Sequence, residues 1–313
     1  MPKACVIAGA GATYADAVSL PVTRRPPLDR GFFSIANYGG RAQDAVGYIR
    51  PACSYMEEKY GIRLVRGNPS DDSFELALST FYIDMVSPAL QKEARDMFMM
   101  LIHGFNRWLA ASTNTLNPGR AGRFYRILAS LLNGGYASRD ITIITLNQDI
   151  QIEKALASLG RAKCRTAEPV FCFPGCYRMD FRKSEVTHPR EHDAPKFVKD
   201  FGHAGVKLLK LHGSLNWYSV HNGTPSSESL LDTARPIFVT SRASLTTSLR
   251  RHGKQTLPIM VPPIALKSIA IHKRIIPVWK LAEESLSDAD EIIVFGYSCP
   301  SSDLESSNML RAR

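Results

Sequence analysis

The sequence predicts an α/β fold: a Rossmann-like parallel sheet with a helical insertion between its first and second core strands. Three observations predict it. Short, largely apolar runs at Ala4–Ala8, Ile141–Leu146 and Val206–Leu211 have the length and composition of buried strands. Each run ends in small or polar residues: Gly9-Ala10-Gly11-Ala12, Thr145-Leu146-Asn147-Gln148-Asp149 and Lys210-Leu211-His212-Gly213-Ser214. Helical periodicity fills the interval between the first run and the second. In such sheets ligands bind just beyond the carboxyl ends of the strands, so the three motifs converge on one site.

Taken in order, Ala4–Ala8 is the first strand and Gly9-x-Gly11 a tight turn. The third glycine of a dinucleotide fingerprint would fall at Tyr14, so the standard pattern is incomplete. Pro26-Pro27-Leu28-Asp29-Arg30-Gly31-Phe32-Phe33 is a stiff, loop-like segment that suits either a cover over a bound nucleotide or a plain connection. From Ser73 to about Thr113 apolar residues recur at helical spacing, with Pro88 opening a second helix. A further helix spans Gly122–Asn133 and stops at Gly134-Gly135. The helical insertion is thus bounded at about 70–135.

The second core strand leads into a helix through Leu159. Residues 160–204 are polar, basic and interrupted by proline, and read as a long excursion. The third strand delivers His212. Weaker strands follow at Ile237–Val239 and Ile259–Val261, the latter stopped by Pro262-Pro263. A helix over Lys273–Ser287 precedes the strand Glu291–Phe295, which opens into Gly296-Tyr297-Ser298 and then Asp303.

The 313 residues suit one large or two modest domains. Apolar residues make up 44%, enough for a real core. The 39 basic and 29 acidic residues leave a net charge of +10, which favours anionic partners such as nucleotides or nucleic acid. No apolar stretch approaches the ~18 residues of a membrane span. The N-terminus lacks the form of a signal peptide, so a cytoplasmic protein is expected. The scattered cysteines do not form a disulfide framework. Cys172-x3-Cys176 followed by His188-x3-His192 has roughly the spacing of a structural zinc site. The surrounding prolines (Pro174, Pro189, Pro195) make this stretch loop-like, and no metal is expected.

Each motif has a bland role and a chemical one. Gly9 and Gly11 suit an ordinary turn, or a close approach of backbone N–H groups to phosphate. Asn147 and Asp149 suit helix capping, or the holding of ribose hydroxyls and a water. His212 suits a structural role, or that of a general base near neutral pH. Together in one sheet they favour the chemical roles.

In this order, Gly-Ala-Gly-Ala, Thr-x-Asn-x-Asp and Lys-Leu-His-Gly-Ser resemble the core motifs of the sirtuin superfamily. The intervening helices, Pro26-Pro27-Leu28-Asp29-Arg30 and Gly-Tyr-Ser-x-Pro-x-x-Asp from Gly296 resemble the sirtuin-like branch of bacterial antiphage defence proteins. The resemblance spans residues 4 to about 304 and makes 1–313 one NAD-binding domain. It implies NAD as substrate, with Gly9, Ala10 and Gly11 at the pyrophosphate. Asn147 and Asp149 would face the nicotinamide ribose, Asn147 positioning a water, and His212 would be the base. Thr145, Gly213 and Ser214 would complete the pocket, and Gly296 and Ser298 would contact the adenosine side. The implied reaction is hydrolysis of the nicotinamide–ribose bond to nicotinamide and ADP-ribose.

Deacetylases of the superfamily carry two Cys-x-x-Cys pairs after the His motif. Here Cys299 alone follows His212, so a zinc module is not expected and a deacylase or ADP-ribosyltransferase is the weaker alternative. Family members usually continue beyond the position of Asp303, whereas Leu304–Arg313 reads as a short polar tail. By analogy a toxic NADase is held off by assembly or a partner. The expected partners are further copies of the chain, and a HerA-type ATPase or an Argonaute-like protein through which nucleic acid is met. A different class of function, a nucleotide-holding, non-catalytic subunit of a nucleic-acid complex, would use the +10 charge instead.

Overall fold

A computed structural model describes residues 2–27, 32–33, 43–64, 73–114, 116, 122–163, 170–171, 175–179, 205–222, 237–238, 254–261, 275–298 and 304–311. The chain divides into two compact units. One comprises Met1–Ala12, Asn117–Val261 and Ser268–Arg313; the other comprises Thr13–Leu116 and Pro262–Lys267.

The first unit is the α/β fold. Strands β1 (Ala4–Ala8), β2 (Ile141–Thr145), β3 (Lys207–Lys210) and β7 (Glu291–Phe295) form a parallel sheet in the order β3-β2-β1-β7. The runs of β1, β2 and β3 are largely apolar because both faces are covered, whereas β7 at the sheet edge is partly exposed. Val6, Ile143 and Leu208 point to one face, where Phe124, Leu128, Ile152 and Leu156 close the core. These come from α5 (Arg123–Asn133) and α6 (Gln151–Lys163). Ile7, Ile144 and Leu209 point to the other, against Val278, Trp279 and Ala282 of α7 (Ile276–Ser287). Each such side chain removed from water contributes about 1.5–3 kcal/mol before entropy is counted.

Two stretches behave differently from their sequence reading. Within the supposed excursion, Val170, Cys176 and Tyr177 are buried in the first core layer. The supposed polar tail is a helix, α8 (Leu304–Arg311), anchored by Met309 in the second layer. After β3 the chain reverses into β4 (Gly213–Asn222), which pairs antiparallel with β5 (Ile237–Phe238) and β6 (Lys254–Met260). This three-stranded ribbon is longer than the two weak strands the sequence suggests.

The second unit contains α2 (Gln43–Tyr60), α3 (Phe74–Asp84) and α4 (Gln91–Asn114). The 70–135 stretch therefore contributes to both units, since α5 belongs to the first. Helix α2 has no counterpart in the sequence reading. Pro51 lies inside it and Gly47 weakens it, a penalty of about 3 kcal/mol for the proline and up to ~1 for the glycine. Ala45, Ile49, Ala52, Tyr55 and Met56 are buried on one face and outweigh that penalty. Pro88 lies in the turn before α4, three residues short of its first turn. Phe32 meets Phe74 and Trp108 at ring-centroid distances of 4.5 and 5.0 Å. The aromatics after the proline-rich segment are thus core anchors of this unit; Leu28–Gly31 lie outside the described residues.

Buried Asp84 accepts hydrogen bonds from the hydroxyls of Tyr55 (2.9 Å) and Tyr60 (2.5 Å), latching α2 to α3. The hydrogen bond to Asp84, with burial second, pushes the Tyr60 pKa up to about 12. A raised folded-state pKa means the native protein holds this proton more tightly than the unfolded chain. The stabilisation is therefore complete below pH ~10 and lost as pH rises towards 12. Alkaline difference spectra of wild type against Tyr60→Phe are expected to show this phenolate forming near pH 12, and thermal unfolding of the variant to depend less steeply on pH above about 10.

Candidate active site

The order β3-β2-β1-β7 places a topological switch point between β1 and β7, where the chain's crossovers diverge. There the turn after β1 lies directly on the end of β7. Gly9 N–H donates to Phe295 C=O (3.1 Å) and Gly11 N–H to Gly296 C=O (3.0 Å). A Cβ on Gly9 would stand 2.6 Å from the Gly296 oxygen, and one on Gly296 would stand 2.1 Å from the Ala12 nitrogen. Gly296 also has φ +62, which L side chains rarely adopt. These glycines let two backbones touch, and the amides of Gly9 and Gly11 are used within the protein. Ala10, the first residue of α1 (Ala10–Asp16), is exposed, as are Gly296 and Ser298.

The ends of β2 and β3 carry the polar residues. Thr145 is fully buried; its hydroxyl donates to Ala8 C=O (3.0 Å) and accepts from Asn147 N–H (3.0 Å). It brackets β1, β2 and the turn that follows. Asp149 accepts from Gln151 N–H (2.9 Å), capping α6. Leu211 N–H donates to Thr145 C=O (2.9 Å) and Leu215 N–H to Gln148 C=O (2.8 Å). The segments Asn147–Asp149 and His212–Ser214 are therefore held side by side. Gly213 makes the reversal with φ +79. Asn147, Asp149 and His212 are 4%, 4% and 7% exposed, and Ser214 is fully buried. The Ser214 hydroxyl makes no hydrogen bond with the described residues.

Other residues fix this geometry that the motifs do not include. Gln148 Nε2 donates to Val261 C=O (3.0 Å), while Val261 N–H donates to His212 C=O (3.0 Å). The end of β6 thus ties both segments together. Trp279 Nε1 donates to Leu211 C=O (3.1 Å), and its ring lies 6.3 Å from the His212 ring. Beneath the turn, Lys210 Nζ donates to Asp149 C=O and pairs with Glu153 (2.8 Å). Glu153 also accepts from the Tyr177 hydroxyl (3.0 Å), which accepts from Asn216 Nδ2 (3.1 Å). Burial, then the charge of Glu153, holds the Tyr177 pKa well above its ordinary value. Burial lowers that of Lys154 against the opposing pull of Asp149 and Glu153. A strand-ending lysine preceded by apolar residues was the available signal for Lys210; its partners are tertiary.

Asn147, Asp149, Thr145, Gly213, Ser214 and His212 come together at adjoining strand ends. Gly9, Ala10, Gly11, Gly296 and Ser298 gather at the β1–β7 switch point. Of the cysteine–histidine cluster, Cys176 is buried in the apolar core and is not in a disulfide. Cys172, His188 and His192 lie outside the described residues, as do Cys299 and Asp303. No group of three metal-binding side chains occurs among the described residues. Among them, no helix is long and apolar enough to cross a membrane. No protein-family model matches the chain, and no curated protein matches it either.

The glycine contact yields a direct test. Gly296→Ala and Gly9→Ala are expected to lose at least ~2 kcal/mol of stability in denaturant unfolding, because a backbone atom blocks each new Cβ. Gly47→Ala, inside α2 with open space around its Cβ, is expected to gain about 0.5–1 kcal/mol.

Proposed function

We propose that the chain is an NAD glycohydrolase whose site is the carboxyl end of the parallel sheet. One observation carries this reading. Asn147, Gln148, Asp149, His212 and Ser214 are buried side by side at two adjoining strand ends. Burying polar groups costs free energy, and a set of them beyond a sheet's carboxyl edge is what a ligand site requires. The neighbouring switch point supplies an exposed rim at Ala10, Gly296 and Ser298, suited to the pyrophosphate and adenosine side. The sirtuin-like order of the motifs points to NAD as the molecule spanning both.

In this mechanism Asn147 orients a water on the face of the nicotinamide ribose, and Asp149 and Ser214 bind its hydroxyls. Nicotinamide leaves as a neutral group, taking the electrons of the C–N bond, so the transition state resembles an oxocarbenium ion. The water oxygen bonds to the anomeric carbon and its proton passes to His212. Fixed dipoles around the developing charge and the held water supply much of the acceleration. The protein is cytoplasmic in this reading and acts in antiphage defence by depleting NAD. It is restrained by self-assembly or by a partner chain, of the HerA-type ATPase or Argonaute-like kind.

The net charge of +10 favours the second reading, a nucleotide-holding subunit of a nucleic-acid complex without turnover. The test is NAD consumption by the purified chain, alone and with the product of its neighbouring gene. Nicotinamide and ADP-ribose are expected from the wild type, with Asn147→Ala and His212→Ala each slower by about 10²-fold or more. Absence of turnover in both conditions, with salt-sensitive nucleic-acid binding, would replace the glycohydrolase by the second reading.

A further inference from the structure

Lys210 lies at the end of β3 with no exposed surface. Its ammonium contacts the Asp149 carbonyl and the Glu153 carboxylate. A buried ion pair is by itself a poor source of stability, because desolvation cancels most of the attraction. An apolar pair of similar volume fills such a place as well. The carbonyl contact is different. The helical ladder of α6 begins with Lys154 N–H on Ile150 C=O (3.1 Å), so the Asp149 carbonyl falls outside it. It belongs to the peptide plane where the chain leaves the sheet and enters the helix. Lys210 is a donor to that carbonyl, and Glu153, braced by Tyr177, holds the ammonium in place.

We propose that Lys210 is a positioning residue, its ammonium fixing the strand-to-helix turn that presents Asn147 and Asp149 to the substrate. The substrate part of this rests on the glycohydrolase reading; the fixing of the turn does not. Lys210 touches no reacting atom. It acts by setting the direction of a turn that is also tied by Asn147 N–H on Thr145, Leu215 N–H on Gln148 and Gln151 N–H on the Asp149 carboxylate, bonds that engage other groups than the Asp149 carbonyl.

The experiment compares wild type, Glu153→Gln, and the double variant Lys210→Met with Glu153→Gln. The double variant removes both buried charges at once, and the new amide oxygen still accepts from Tyr177. Its unfolding midpoint is expected to lie within a few degrees of wild type. Native-state amide exchange over residues 146–151 is nevertheless expected to be about tenfold faster, with the rest of the sheet unchanged. Glu153→Gln alone keeps the lysine donor and is expected to keep that protection. With NAD, the double variant is expected to lose about 10²-fold in kcat while KM moves less than about threefold, as displacement of a catalytic group does. Wild-type exchange over 146–151 in the double variant would overturn the proposal, whatever the NAD assay shows. Faster exchange there, in a wild type that does not cleave NAD, would keep the positioning role and overturn the glycohydrolase reading instead.

Discussion

The contact between the turn after β1 and the end of β7 constrains everything around it. Two backbones meet at hydrogen-bonding distance with no side chain between them, through Gly9, Gly11 and Gly296. That closeness sets the start of α1 against the exit of β7 at the switch point. A side chain at any of the three positions would wedge the two strand ends apart. Since β1 is central, the displacement would pass through its ladder to β2 and so to Thr145, whose hydroxyl bonds Ala8. The glycines therefore act on the distant half of the site through geometry, without touching it.

The second half obeys a different economy. Its residues are polar and buried, so each requires a partner or a ligand. Thr145, Gln148, Asp149 and Lys210 find theirs in backbone groups: Ala8, Val261, Gln151 and Asp149. These bonds convert flexible side chains into struts. They hold Asn147 and the His212–Ser214 reversal as a fixed edge, which the proposed glycohydrolase would need.

How much of this could be read in advance follows from where the information lies. β1, β2 and β3 were legible because a strand covered on both faces must be largely apolar; β7, a partly exposed edge strand, was legible from its apolar run Ile292–Phe295. The polar residues at their ends were legible because the strand boundaries were. Helix α2 was not, since Pro51 and Gly47 contradict its local propensity and only tertiary burial of Tyr55 and Met56 overrides them. β4 was hidden for another reason. Ser214, Asn216 and Ser219 break up its apolar residues, and its partner β6 lies beyond a long stretch of chain, so no local pattern marks the pairing. The same holds for Glu153, Tyr177, Val261 and Trp279: each acts through a residue far away in sequence.

Thr145, Asp149 and Gly213 show why bland and chemical roles need not compete. Asp149 caps α6 with one carboxylate oxygen, which fixes its rotamer and leaves the other oxygen's direction determined. Gly213 is required by its positive φ, and that same conformation makes the reversal that sets His212 and Ser214 on either side of it at the end of β3. Thr145 spends its hydroxyl on the backbone and thereby orients the amide of Asn147. In each case the structural bond is the means by which a neighbouring group is aimed. A capping or turn-forming role at a strand end is thus no argument against a site there; at the carboxyl edge of a parallel sheet it is how a site is held still.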